Sequence, residues 1–125
     1  MRIMKGRDLL TLSDYTKEEI EKILELSISM KHDVKCGNYI RPYLSGKTVI
    51  LLFQKPSTRT RLSFDVGVHQ LGGHPIYLNW NDLQLGRGET IADTARTFDA
   101  YADGIVARVF KHTDLEIMAE NARAP

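Results

Sequence analysis

The first apolar periodicity in the chain follows Thr16. Ile20, Ile23, Leu24, Ile28 and Met30 recur there at roughly helical spacing and predict one apolar stripe along a helix. Thr16 with Glu19 fits a capping box, in which hydroxyl and carboxylate each satisfy a free backbone donor. The helix is predicted to start at Thr16, run to about Val34 and end before Gly37. Residues 38–46, with Pro42 and Gly46, read as a connector. The period then changes. Thr48–Phe53 is a continuous, β-branched-rich apolar run, as expected of a strand covered on both faces in a parallel sheet. Gln54-Lys55-Pro56 leads into a second helix from about Ser57 to Leu71, stopped by Gly72 and Gly73. Residues 75–78 predict a second strand and residues 79–89 a polar loop. Thr90, with Asp93 three residues later, caps a third helix carrying Ile91, Ala95, Phe98 and Tyr101. Residues 104–109 predict a third strand, and Thr113 with Glu116 suggests another capping box, opening a helix through Leu115, Ile117 and Met118.

Strands therefore alternate with helices, which predicts an α/β fold: an open parallel sheet with helices on both faces and right-handed crossovers. Three strands are readable, and the chain stops where another is expected, so a further strand is predicted to be lost with a truncation. No internal repeat or low-complexity segment interrupts the pattern.

Composition narrows the function. The 125 residues suit one domain, able to bury roughly two-thirds of its chain surface. At 42% hydrophobic and 26% charged it is an ordinary globular composition. A formal net charge of +1 offers no global attraction for nucleic acid or for an anionic membrane, so any anion site must be built locally. Cys36 is the only cysteine, which excludes an internal disulfide and a zinc pattern. His32, His69, His74 and His112 lack metal-ligand spacing, and no metal or cofactor is expected. The first residues contain no run long enough for a signal peptide and no stretch approaches a membrane span, so the expectation is a soluble, cytoplasmic protein.

In open parallel sheets ligands gather at the carboxyl ends of the strands, against helix N-termini. Two predicted strand ends carry suitable chemistry. After Phe53 come Ser57, Thr58, Arg59, Thr60 and Arg61, three hydroxyls and two guanidiniums at the opening of a helix. A helix N-terminus presents unpaired N–H groups and about half a positive charge, which favours phosphate before any side chain is counted. The hydroxyls add neutral donors, and Arg59 adds a charge-assisted, potentially bidentate contact. Arg59 and Arg61, two positions apart, cannot share a helix face, so one should meet the ligand and the other serve structure. Taken singly, each residue reads as part of a capped helix with solvent-facing arginines; their concentration at one junction favours an anion site. The second strand end is Arg108. It either snorkels to solvent or, if the strands are neighbours, converges on the same pocket. Ser45-Gly46-Lys47-Thr48 has the look of a P-loop tail, but Arg41 stands where that motif needs glycine, and the tetrad precedes a strand instead of opening a helix. It is predicted to be a turn.

The run Ser57-Thr58-Arg59-Thr60-Arg61 after a buried strand resembles the carbamoyl-phosphate motif of the aspartate and ornithine carbamoyltransferase family. Phe64, Gln70-Leu71-Gly72-Gly73, the loop from Asp82 to Thr90, Asp93-Thr94-Ala95-Arg96 and Asp103-Gly104-Ile105 ahead of Arg108 match the same pattern in order. The resemblance extends from Gly6-Arg7-Asp8 to the end of the chain. Gln84 and the spelling Leu85-Gly86-Arg87-Gly88-Glu89 look like the ornithine branch; the aspartate branch usually has a serine near Gln84 and a lysine in that loop.

The resemblance implies that Ser57, Thr58, Arg59 and Thr60 hold the phosphate of carbamoyl phosphate, and that Arg108 with Thr60 holds the carbamoyl oxygen. It implies that Gln84 reaches into the neighbouring subunit's site, in a homotrimer or a multiple of trimers. The reaction implied is carbamoyl transfer to the side-chain amine of ornithine, without metal or covalent intermediate, with Arg108, Arg59 and Thr60 as its catalytic groups. The family's His-Pro-x-Gln segment and its ornithine-binding domain have no counterpart among these residues. Residues 1–125 are therefore expected to be the carbamoyl-phosphate domain of a cut or truncated relative, nearly inactive alone. Two other readings stay open: a non-catalytic carbamoyl-phosphate-binding or trimerisation module, and an aspartate carbamoyltransferase domain. Trp80 is assigned either to an interface with a neighbour or to local packing, and Glu89 and Asp93 to ion pairs with Arg61 or Arg87.

Overall fold

The computed structural model describes residues 4–85 and 89–125. They form two compact units, Met1–Arg41 and Pro42–Pro125.

The first unit is built on helix α1, Lys17–Cys36. Its capping box is present: Glu19 N donates to Thr16 Oγ1 at 3.2 Å, and Thr16 N donates to Glu19 Oε2 at 3.0 Å. Glu19 is buried because its second oxygen is also matched, by Arg7 Nη1 at 2.8 Å. The Arg7 guanidinium in turn lies 4.3 Å from the centre of the Tyr15 ring. The helix runs past Val34, because nothing before Gly37 stops it. Gly37, at φ 68°, closes it with bonds from Gly37 N to Val34 O and from Asn38 N to Asp33 O. The predicted stripe is only partly covered, since Ile23, Leu24 and Ile28 stay exposed.

The second unit is a three-stranded parallel sheet in the order β2-β1-β3, with β1 Thr48–Phe53, β2 His74–Asn79 and β3 Gly104–Arg108. Helix α2, Thr58–Gln70, joins β1 to β2; α3, Ile91–Tyr101, joins β2 to β3; α4, His112–Asn121, follows β3. The continuous apolar run of β1 is explained by its central place. Val49, Leu51 and Phe53 pack with Val68 of α2 on one face. Ile50 and Leu52 pack with Ala95 and Phe98 of α3 and Met118 of α4 on the other. Helices thus cover both faces, as the alternation of elements predicted.

The connections also match, with one correction. The segment before β1 is a turn, with Lys47 N donating to Leu44 O at 2.9 Å, so the P-loop-like tetrad is no phosphate loop. Helix α2 closes with Gly72 at φ 85° and the paired bonds Gly73 N to Val68 O and Gly72 N to His69 O. Gly73 is required by space: a Cβ there would lie 2.9 Å from Val68 Cγ1 and 3.1 Å from Leu44 Cβ. Thr90 caps α3 through Asp93 N at 3.1 Å. The capping box expected at Thr113 and Glu116 is not formed. Helix α4 opens at His112 with Lys111 as its N-cap, so Thr113 falls inside the first turn, and Glu116 faces His112 at 3.7 Å.

Candidate functional site

The strand order decides where the site lies. After β1 the chain leaves to one face as α2, and after β3 it leaves to the other as α4. Neighbouring parallel strands whose exits diverge open a crevice at their carboxyl ends, the place where such sheets bind ligands. The register puts Phe53 of β1 opposite Arg108 of β3, so the opening of α2 and Arg108 flank that crevice together.

Ser57 is the N-cap residue of α2, yet its side chain makes no capping bond. The free N–H groups of the first turn therefore lack a side-chain acceptor, in contrast to α1 and α3, which Thr16 and Thr90 cap. Arg108 Nη1 donates to Thr60 Oγ1 at 3.3 Å across the crevice. Arg108 therefore turns across to Thr60 instead of extending into solvent. Arg59 is exposed, and neither it nor Arg108 forms an ion pair with a carboxylate among the described residues. Arg108 and Thr60 thus meet at the crevice, beside the uncapped helix end that carries Ser57, Thr58 and Arg59. Such a set suits a small dianion carrying a second polar group.

The two arginines of α2 differ in their surroundings. The Arg61 guanidinium stacks on the Tyr77 ring of β2, 3.4 Å from its centre. Arg61 is therefore engaged within the domain, whereas Arg59 is exposed. The ion pairs expected of Glu89 and Asp93 with Arg61 are not formed: Asp93 pairs with Arg96 at 2.8 Å, one helical turn away on α3. Arg87, with Gly86 and Gly88, lies outside the described residues.

Gln84 sits exposed in the loop after β2, away from the Ser57–Arg108 group in sequence and without a hydrogen bond to it. The loop is less featureless than its polar composition suggested. Trp80–Asp82 form a 3-10 turn, capped by Asn79 Oδ1, which accepts from Asn81 N at 2.9 Å. Trp80 and Leu83 pack against the core of the α3–α4 face, so the local-packing reading of Trp80 holds within this chain.

Gln54 was missed by sequence reasoning. Its N–H donates to Arg108 O, and its side-chain Oε1 accepts from Phe110 N, both at 2.8 Å. One residue thereby pins the backbone on both sides of Val109, next to Arg108. The available signal was a long polar side chain placed directly after a fully apolar strand.

The fold defines a parallel α/β domain with polar and cationic side chains at a strand-to-helix junction. The sequence pattern of the aspartate/ornithine carbamoyltransferase carbamoyl-P binding domain matches residues 7–125, and the chain belongs to this family. It is 57% identical over 122 residues to an ornithine carbamoyltransferase of Thermococcus kodakarensis, covering 98% of this chain and 38% of that protein. A second, from Anoxybacillus flavithermus, is 53% identical over the same share of each. Among solved structures, ornithine carbamoyltransferase from Pyrococcus furiosus superposes with a TM-score of 0.90 at 54% identity, over 98% of this chain and 39% of that one. Aspartate transcarbamoylase from Trypanosoma cruzi, solved with carbamoyl aspartate and phosphate, gives 0.87 at 28% identity, over 98% and 38%. The chain thus spans under two-fifths of the length of these relatives. No helix among the described residues is long and apolar enough to cross a membrane.

Proposed function

We propose that this chain is the carbamoyl-phosphate-binding part of an ornithine carbamoyltransferase. The observation that carries the reading is the 3.3 Å contact between Arg108 and Thr60, which brings a β3 guanidinium to the uncapped start of α2. The first-turn N–H groups with Ser57, Thr58 and Arg59 take the phosphate, and Arg108 with Thr60 takes the carbamoyl oxygen. Ornithine's neutral side-chain amine attacks the carbamoyl carbon, and the carbonyl electron pair moves onto oxygen. Arg108 and Thr60 stabilise that oxyanion, an effect of about 3–4 kcal/mol for a well-placed donor. Collapse breaks the carbon–oxygen bond to phosphate, the attacking nitrogen loses a proton, and citrulline and phosphate leave. Arg59 and the helix end neutralise the departing phosphate.

Ornithine itself is bound by a domain that these residues do not contain, and the chain alone is proposed to be nearly inactive. Gln84, exposed on its loop, completes the site of a neighbouring subunit in a homotrimer, within a cytoplasmic enzyme of arginine metabolism. The ornithine branch is favoured over the aspartate branch by 57% against 28% identity to their respective members.

An NMR titration with phosphonoacetamide, an unreactive stand-in for carbamoyl phosphate, tests the site. Amide shifts should cluster at residues 57–60 and at Arg108. Arg59→Ala should weaken binding ten- to a hundredfold, given about 1.5–3 kcal/mol for a hydrogen bond to a charged group. A folded spectrum without shifts, or an Arg59→Ala variant of unchanged affinity, defeats the assignment.

A further inference from the structure

We propose that Arg61 is a positioning residue of this site, which acts through Tyr77 and fixes the rotation of α2 about its own axis. The inference rests on the carbamoyl-phosphate reading above and adds a residue to it.

The contacts form a chain from the core outward. Phe53, the last residue of β1, is 2% exposed. Its ring meets that of Tyr77 edge-on, with centroids 5.7 Å apart and planes at 62°. The Arg61 guanidinium lies on the Tyr77 ring at 3.4 Å. A planar cation on an aromatic face is held by the ring quadrupole and by stacking. Arg61 is thus anchored to β2 through a ring that the core immobilises.

Thr60, the preceding residue, is tied the other way, to Arg108 of β3. β2 and β3 flank β1 on opposite sides. Successive residues of a helix point about 100° apart around its axis, so residues 60 and 61 can reach toward different strands. A helix start held at one point can swivel; held at two diverging points it cannot. Ser57 makes no cap that would do this locally. A swivel would displace the first-turn N–H groups and Arg59, where the phosphate is placed. The Arg61 head group rests over β2, on the far side of β1 from Arg108, so its part is to orient the helix and not to touch the ligand.

The experiment is the phosphonoacetamide titration of the chain as Tyr77→Phe, Tyr77→Leu, Arg61→Met and the double variant Tyr77→Leu/Arg61→Met, each with its thermal unfolding midpoint. Tyr77→Phe keeps the ring and should bind within about twofold of the parent, while Tyr77→Leu and Arg61→Met should each weaken binding about fivefold, the scale of a partly exposed cation–π contact. The double variant should match either single one. Tyr77→Leu removes no charge, so a loss there cannot come from weaker long-range attraction of the anion. Parent-like affinity in Tyr77→Leu overturns the inference, as does a double variant whose loss is the product of the single losses. Lowered midpoints with unchanged affinities mean a purely structural stack and also overturn it. Should Tyr77→Leu fail to fold, Tyr77→Met takes its place, since it keeps a bulky apolar side chain and changes no charge but removes the aromatic face; its affinity should fall, and parent-like binding overturns the inference. Absence of binding by the unaltered chain defeats the carbamoyl-phosphate reading itself.

Discussion

Gln54 Oε1 accepts a hydrogen bond from the backbone N–H of Phe110 at 2.8 Å, across 56 residues of sequence, while its own N–H donates to Arg108 O. The loop leaving β1 and the loop leaving β3 are therefore one bonded unit, and Arg108 projects from it. Gln54→Ala should cost about 1 kcal/mol, the net worth of one neutral hydrogen bond, and should also weaken phosphonoacetamide binding because the backbone beside Arg108 is freed. Gln54→Glu keeps the acceptor and should retain most of the stability. Urea unfolding of both variants checks this, and equal losses in the two would show that the acceptor is irrelevant.

Leu51 is fully buried at the centre of β1, between β2 and β3. Leu51→Ala removes its contacts and leaves a cavity, at a cost of about 2–5 kcal/mol. Domains have only about 5–15 kcal/mol in total, so this substitution should leave the chain marginal or unfolded. A circular-dichroism melt gives the answer; a native-like midpoint would mean the site collapses far better than a packed strand should.

Two threonines that look alike in sequence should behave differently. Thr90 accepts from Asp93 N, so Thr90→Ala should cost about 1 kcal/mol, as a lost cap does. Thr113 lies inside the first turn of α4 and caps nothing, so Thr113→Ala should stay within about 0.5 kcal/mol of the parent. Denaturant midpoints of the pair decide it.

Two aspartates confer an acid sensitivity of known sign. Asp99 is held below the ordinary aspartate range, first by the N–H of Ala124 and then by the Arg123 side chain. Asp103 is held low by the N–H of Thr48 and, more weakly, by Lys47. A carboxyl lowered in the folded state contributes stability that is complete above its unfolded value of about 4 and is lost as the pH falls through the lower folded value. The stability gap between the parent and the Asp99→Asn/Asp103→Asn variant should therefore be constant near neutrality and shrink below about pH 4. A gap that is flat down to pH 2 would mean that neither carboxylate is linked to folding.

The parts legible in the sequence are those governed by neighbours along the chain. Thr16 with Glu19, Thr90 with Asp93, and Gly72 before Gly73 act within one helical turn, so their spacing sufficed. Thr113 with Glu116 shows the limit of that logic. The same spelling caps nothing when the helix starts one residue before it, and Gln54 holding Phe110 N is a long-range contact at that very start. Trp80–Asp82 was hidden in a polar loop because its short turn depends on one side chain, Asn79, and on apolar neighbours it packs against.

The site divides along the same line. The sequence by itself determined that a parallel sheet would present Ser57, Thr58, Arg59 and Thr60 at the opening of a helix, because the apolar run of β1 and the helical period after it are local patterns. Only the tertiary structure decided that β3 lies beside β1 and not beyond β2, which brings Arg108 to Thr60. It alone decided which arginine of α2 stacks on a ring and which stays exposed. The reason is physical: strand order and the stacking of Arg61 on Tyr77 depend on contacts between residues far apart in sequence, which no periodicity along the chain records.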